Sequence, residues 1–136
     1  MEGVDSMKQI VCFKVEESPY NPGKLCITPV HDNFFLKHTK GSFNVICARL
    51  MNLSYAQYLR FCRDLCGGEI IGKGSKYPVV YFPHGERVQA LCRLLNSRAN
   101  LVLWCRDNPN WRQHQDELKE WEAKTNVFNK RDTNSI

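Results

Sequence analysis

The stretch that most restricts the fold runs from Leu53 to Asn96. Ser54 and Gln57 have the spacing of a capping box. In that arrangement the serine oxygen accepts from the amide three residues on, and the glutamine side chain accepts from the serine's own N–H. Leu53 and Tyr58 flank the cap as a hydrophobic staple would. Tyr55, Tyr58, Leu59, Cys62, Leu65 and Cys66 then share one helical face. Arg60 projects from the opposite face and Arg63 from its flank. Gly67-Gly68 ends the helix, because glycine tolerates the left-handed conformation that follows a last helical turn. Two apolar runs, Glu69–Ile71 and Tyr77–Phe82, surround Gly72-Lys73-Gly74-Ser75-Lys76 and predict a β-hairpin with two lysines at its tip. Pro83 closes it. Val88, Leu91, Cys92 and Leu95 recur at i, i+3, i+4 and i+7 and predict a second helix. Arg93 lies on its polar side and Arg87 on its flank.

Strands are expected on either side of this block. Lys8–Val15 is rich in β-branched and aromatic residues. Lys24–Val30 follows a turn containing Pro19, Pro22 and Gly23, and its Pro29 suits a strand end or edge. Asn33–His38 and Ser42–Leu50 read as strands joined by Thr39-Lys40-Gly41, although the second also fits a helix. Asn100–Cys105 either continues the second helix or forms a strand; the polar run Asn96–Asn100 favours the strand. A third helix opens at Asn108 with Pro109 in its first position, burying Trp111, Leu118 and Trp121. The expected order is ββββ-α-ββ-α-(β)-α, an α+β fold with about three helices on a mostly antiparallel sheet. Its 136 residues suit one domain, placed at residues 8–125, with loose ends at 1–7 and 126–136.

Charge is unevenly spread. The formal net charge is +5. Residues 55–112 hold nine bases and four acids, and the rest of the chain is balanced. Seven of those nine bases are arginine, whose planar fork suits phosphate and carboxylate. The 7 cysteines are an odd number and the first residues lack a basic, apolar leader, so a reducing intracellular (cytoplasmic) setting is expected. No apolar run has the length of a membrane span.

The chemical motifs are fragments. Gly67, Gly72 and Lys73 echo a phosphate-binding loop, but Gly74 stands where a hydroxyl belongs. The expected context, helix then strand, reverses the strand-then-helix order such loops need. Cys62 and Cys66 lie four apart on an apolar face, as core thiols do, with no third ligand at metal spacing. His31-Asp32 suits turn chemistry, and Glu86, near His84, suits a helix start. Glu117-Leu118-Lys119 and Glu122-Ala123-Lys124 have nuclease-like letters, yet residues two apart on a helix do not share a face. These residues predict no catalytic set, no metal and no cofactor.

The hairpin lysines with Tyr77 and Tyr81 suit a phosphate backbone and a stacked base; the bland alternative is a solvated hairpin whose lysines discourage edge pairing. Over residues 53–82 the helix and basic hairpin resemble the recognition helix and wing of a winged-helix protein, without that family's two preceding helices. The leading expectation is a non-enzymatic domain contacting DNA or RNA through Arg60, Arg63, Lys73, Lys76, Tyr77, Arg87 and Arg93. The alternatives are a modulator or inhibitor binding an acidic protein surface, such as a mobile-element protein directed at a host nuclease or defence complex, and an enzyme with a dispersed site such as a nuclease. The letters leave these alternatives, and the oligomeric state, open.

Overall fold

A computed structural model describes residues 10–19, 21–30, 43–72, 78–83 and 85–125. The expected strand Asn33–His38, its hairpin loop, the 73–77 tip and the two ends lie outside the described residues. What is described is α+β, as the sequence predicts. Strand β1 (Phe13–Glu17) pairs antiparallel with β2 (Leu25–Pro29), with Phe13 opposite Pro29. The turn between them is held by its own side chains. The Glu17 carboxylate accepts from the Gly23 N–H at 2.8 Å, and Ser18 Oγ accepts from the Asn21 N–H at 3.2 Å. Gly23 sits at φ +86°, which favours glycine.

Helix α1 (Phe43–Leu50) corrects the strand expected over Ser42–Leu50. Val45 and Ile46 favour strands intrinsically, but the segment buries Ile46, Cys47 and Leu50, and that three-to-four-residue recurrence is helical. Helix α2 (Tyr55–Asp64) carries both halves of the capping box: Gln57 N–H donates to Ser54 Oγ at 3.2 Å, and Ser54 N–H donates to Gln57 Oε1 at 2.9 Å. Gly67 follows at φ +69°, and the Gly68 N–H donates to the Cys62 carbonyl at 2.8 Å. Gly68 has a second constraint. A Cβ there would lie 2.8 Å from Val80 and 2.9 Å from the Cys62 carbonyl oxygen, so the hairpin can lie this close only on a glycine.

Strands β3 (Glu69–Ile71) and β4 (Val79–Tyr81) form the hairpin, Ile70 opposite Val80. The expected single sheet is two strand pairs joined at one point, where Leu25 and Phe82 exchange N–H···O bonds of 3.0 and 2.8 Å.

Helix α3 (Gly85–Asp107) is the spine of the fold. Val88, Leu91, Cys92 and Leu95 are all buried, as their spacing predicts. The helix does not stop at Asn96, so the strand expected over Asn100–Cys105 is overturned. The asparagines that look like a break point inward. Asn96 Oδ1 accepts from the Cys12 and Phe13 N–H groups, both at 2.8 Å, while its Nδ2 donates to the Phe13 carbonyl at 3.0 Å. Asn100 does the same for Ile10, accepting at 2.8 Å and donating at 2.9 Å. Each carboxamide thus occupies the place of a neighbouring strand, and Ile10–Cys12 runs extended but outside β1.

The third expected helix starts late. Asn108 is not its cap; its Nδ2 donates to the Trp104 carbonyl at 2.8 Å and so closes α3. A 3-10 turn (Trp111–His114) intervenes before α4 (Gln115–Thr125). Leu101, Trp104 and Leu118 make a small separate cluster, with Trp111 and Trp121 only half-buried against it. Arg98 ties the pieces together, donating to the Leu50 carbonyl and to Glu122, both at 2.8 Å.

Candidate nucleic-acid interface

The structure gathers part of the expected basic set at the C-terminal end of α2. Arg60 and Arg63 are exposed and three residues apart, about 60° round the helix. Arg87, from the first turn of α3, donates Nη1 to the Leu65 carbonyl at 3.2 Å, just past the end of α2. That bond supplies a cation where the helix leaves unpaired carbonyls and a partial negative charge. The other guanidinium nitrogens of Arg87 make no hydrogen bond among the described residues.

The three arginines are not equivalent. Arg63 is engaged by the residue next to it: Nε donates to Asp64 Oδ1 at 2.8 Å and Nη2 to Oδ2 at 3.2 Å. The pair is open to water, with the side chains 49% and 59% exposed. Hydrogen bonding to Arg63 holds the Asp64 carboxyl below its ordinary range against the opposing effect of desolvation, and the Arg63 and Arg60 charges add to the lowering. Arg60 makes no hydrogen bond or salt bridge among the described residues. Asp64 is the residue that sequence reasoning left out. Its only signal is adjacency to Arg63, and neighbouring helical positions do not ordinarily face one another.

The rest of the expected set disperses or lies elsewhere. Arg93 is exposed but sits about 120° round α3 from Arg87 and about 9 Å further along. Lys73, Lys76 and Tyr77 lie outside the described residues, as do His31, Asp32 and His84. Tyr81, considered for stacking, is buried. Arg98 and Arg106 have carboxylate partners, Glu122 and Asp107. The hairpin's outer face carries an exposed cross-strand pair, Ile71 and Val79.

Chemistry of other kinds finds little support. The glycine run follows a helix and enters β3, the reverse of a phosphate loop. Cys47, Cys62, Cys66 and Cys92 line the core, and burial raises the first three thiols to about 12 and the fourth to about 11. A thiol at about 12 is ionised in roughly one molecule in 10^5 at neutral pH, far too few for a nucleophile. Among the described residues no group of three His, Cys, Asp or Glu side chains is placed to hold a metal ion. A cavity of about 280 Å³ between β2, β4 and the start of α1 is lined by uncharged residues, including Ile27, Phe43, Tyr58 and Val80. Glu117 and Glu122, of the nuclease-like letters, contact His114 and Arg98 respectively. Among the described residues no helix is long and apolar enough to cross a membrane.

The chain matches no protein-family model, no curated protein and no solved structure.

Proposed function

We propose that the protein binds the phosphate backbone of a nucleic acid, without catalysis, through the arginine corner at the end of α2. The observation that carries this reading is the exposed pair Arg60 and Arg63, one turn apart on α2, with Arg87 held at the carbonyl that follows the helix. Supporting it is the concentration of the chain's whole +5 charge in residues 55–112. Phosphate contacts position a protein without reading sequence, so the expected binding tolerates sequence change.

The test is the salt dependence of binding to short mixed-sequence DNA and RNA duplexes. Two to three phosphate contacts on DNA give a log–log slope of about −1.8 to −2.7. Arg60→Ala with Arg63→Ala lowers its magnitude by about 0.9–1.8, whereas Arg106→Ala with Arg112→Ala leaves it unchanged. A wild-type slope near zero, or equal losses from both pairs, overturns the proposal. One observation favours a protein partner instead: Ile71 and Val79 leave a cross-strand apolar pair of the hairpin exposed. Capture of a single protein that survives nuclease treatment and is lost in Ile71→Asp would support that second reading.

A further inference from the structure

We infer that the Arg63 fork is a phosphate subsite, and that the Asp64 carboxylate occupies it in the free protein as a built-in competitor. This rests on the nucleic-acid reading above and specifies where the first phosphate sits and what it must displace.

Two nearly parallel N–H···O bonds, at 2.8 and 3.2 Å, join a planar guanidinium to both oxygens of one carboxylate. Phosphate accepts from arginine in the same two-oxygen geometry, with more oxygens and more charge. The contact is not imposed by the helix, where neighbouring side chains diverge by about 100°. Among the described residues Asp64 is the fork's one carboxylate partner. Arg60 lies one turn back and its charge acts on Asp64, so a phosphate replacing Asp64 at the fork has a second cation beside it. Asp64 differs in being tethered to its own backbone. Its solvent exposure, 59%, leaves it free to swing aside.

The fold contains a second neighbour pair as a control. Arg106 meets Asp107 at the far end of α3 through one oxygen, Nε and Nη2 both lying 3.1 Å from Oδ1. Asp64→Asn and Asp107→Asn each remove one negative charge, so general electrostatics affects them alike.

The experiment measures binding of each variant to a labelled mixed-sequence DNA duplex across a range of salt. Freed from its competitor, Arg63 gains a full phosphate contact, so Asp64→Asn steepens the slope by up to about 0.9. Its advantage over wild type then grows about 3.5-fold between about 200 and 50 mM salt. Asp107→Asn keeps the wild-type slope. Asp64→Glu, which retains the charge, stays near wild type. Equal slopes for Asp64→Asn and wild type, with wild type binding, sink the subsite and leave the broader reading standing. Equal steepening by both asparagine variants also sinks it. If neither wild type nor Asp64→Asn binds, the broader reading falls too.

Discussion

Replacing Asn96 with alanine tests whether α3 holds the N-terminal strand through a side chain that imitates a strand. The carboxamide satisfies three backbone groups: the N–H of Cys12, the N–H of Phe13 and the carbonyl of Phe13. Cys12 and Phe13 are 4% and 2% exposed, so water replaces those bonds poorly. An orphaned buried donor or acceptor costs about 1–3 kcal/mol. With partial relaxation into the space left by the side chain, the loss is about 3–5 kcal/mol, much of the stability of an ordinary domain. Urea denaturation of Asn96→Ala reads it as a lower midpoint with an unchanged slope. Asn96→Asp refines the test, since its oxygen still accepts from both N–H groups while the donor to the Phe13 carbonyl is gone. Exchange protection of the Cys12 and Phe13 amides therefore persists in Asn96→Asp and collapses in Asn96→Ala. Asn100→Ala gives the contrast. It frees Ile10, which is 45% exposed and where water takes over, and it removes a second bond to the Asn96 carbonyl, which lies within the helix, at a loss of about 1 kcal/mol. A loss below about 1 kcal/mol for Asn96→Ala, or equal losses at the two positions, refutes the reasoning.

Other outcomes follow from the same structure. Gly68→Ala is expected to destabilise by about 1–3 kcal/mol, because its Cβ meets the Cys62 carbonyl and Val80, whereas Gly67→Ala meets nothing and loses only about 1–2 kcal/mol to its positive φ; thermal unfolding of the pair, with Val80→Ala rescuing only Gly68→Ala, separates clash from strain. In native protein a small thiol reagent is expected to label Cys26 and Cys105 quickly and Cys12, Cys47, Cys62, Cys66 and Cys92 only after unfolding, as mass spectrometry of a time course would show. The core thiols also set an alkaline limit. Their folded values of about 11 to 12 exceed the ordinary 9.0, so above that value the unfolded chain sheds protons the folded one keeps. Stability is then full below pH 9 and falls as pH rises towards 11–12, by at most about 1.4 kcal/mol per pH unit for each thiol. Denaturation midpoints that stay flat from neutral pH to pH 10.5 would contradict it.

How much of this was legible in the sequence depends on whether the deciding interaction is local. The α2 cap, the Gly67-Gly68 stop and the antiparallel pairing of 69–71 with 79–81 all depend on residues close in sequence, and all are found as read, the tip 73–77 lying outside the described residues. The failures share the opposite property. Asn96 and Asn100 read as a helix break because asparagine commonly bonds its own backbone and favours turns. Here their partners lie 83 to 90 residues away, in a strand whose edge needs donors and acceptors. Asn108 has helix-start chemistry, yet it bonds the helix behind it. For α1, Val45 and Ile46 carry strand propensity, and burial of a helical face on the core overrides it.

The site divides along the same line. Arg60 and Arg63 were legible as exposed because α2's pattern was legible, and Arg87 because it flanks the next helix's apolar stripe. Arg87's place at the end of α2 was not, since it rests on reaching a carbonyl 22 positions back. That contact brings α3, which packs on β1, β2 and α1, to the end of α2, where the following turn depends on Gly68 lying close to Cys62 and Val80. The same helix that pairs with the N-terminal strand at Asn96 therefore positions Arg87 about two and a half turns earlier. A lesion at Asn96 that leaves α3 docked should spare salt-dependent binding, while one at Gly68 should weaken it by shifting Arg87 off the Leu65 carbonyl. Comparing duplex binding of Asn96→Asp and Gly68→Ala, both measured where each is fully folded, decides the point. Equal binding by the two variants would mean that the corner does not rely on the α2–hairpin junction for its shape.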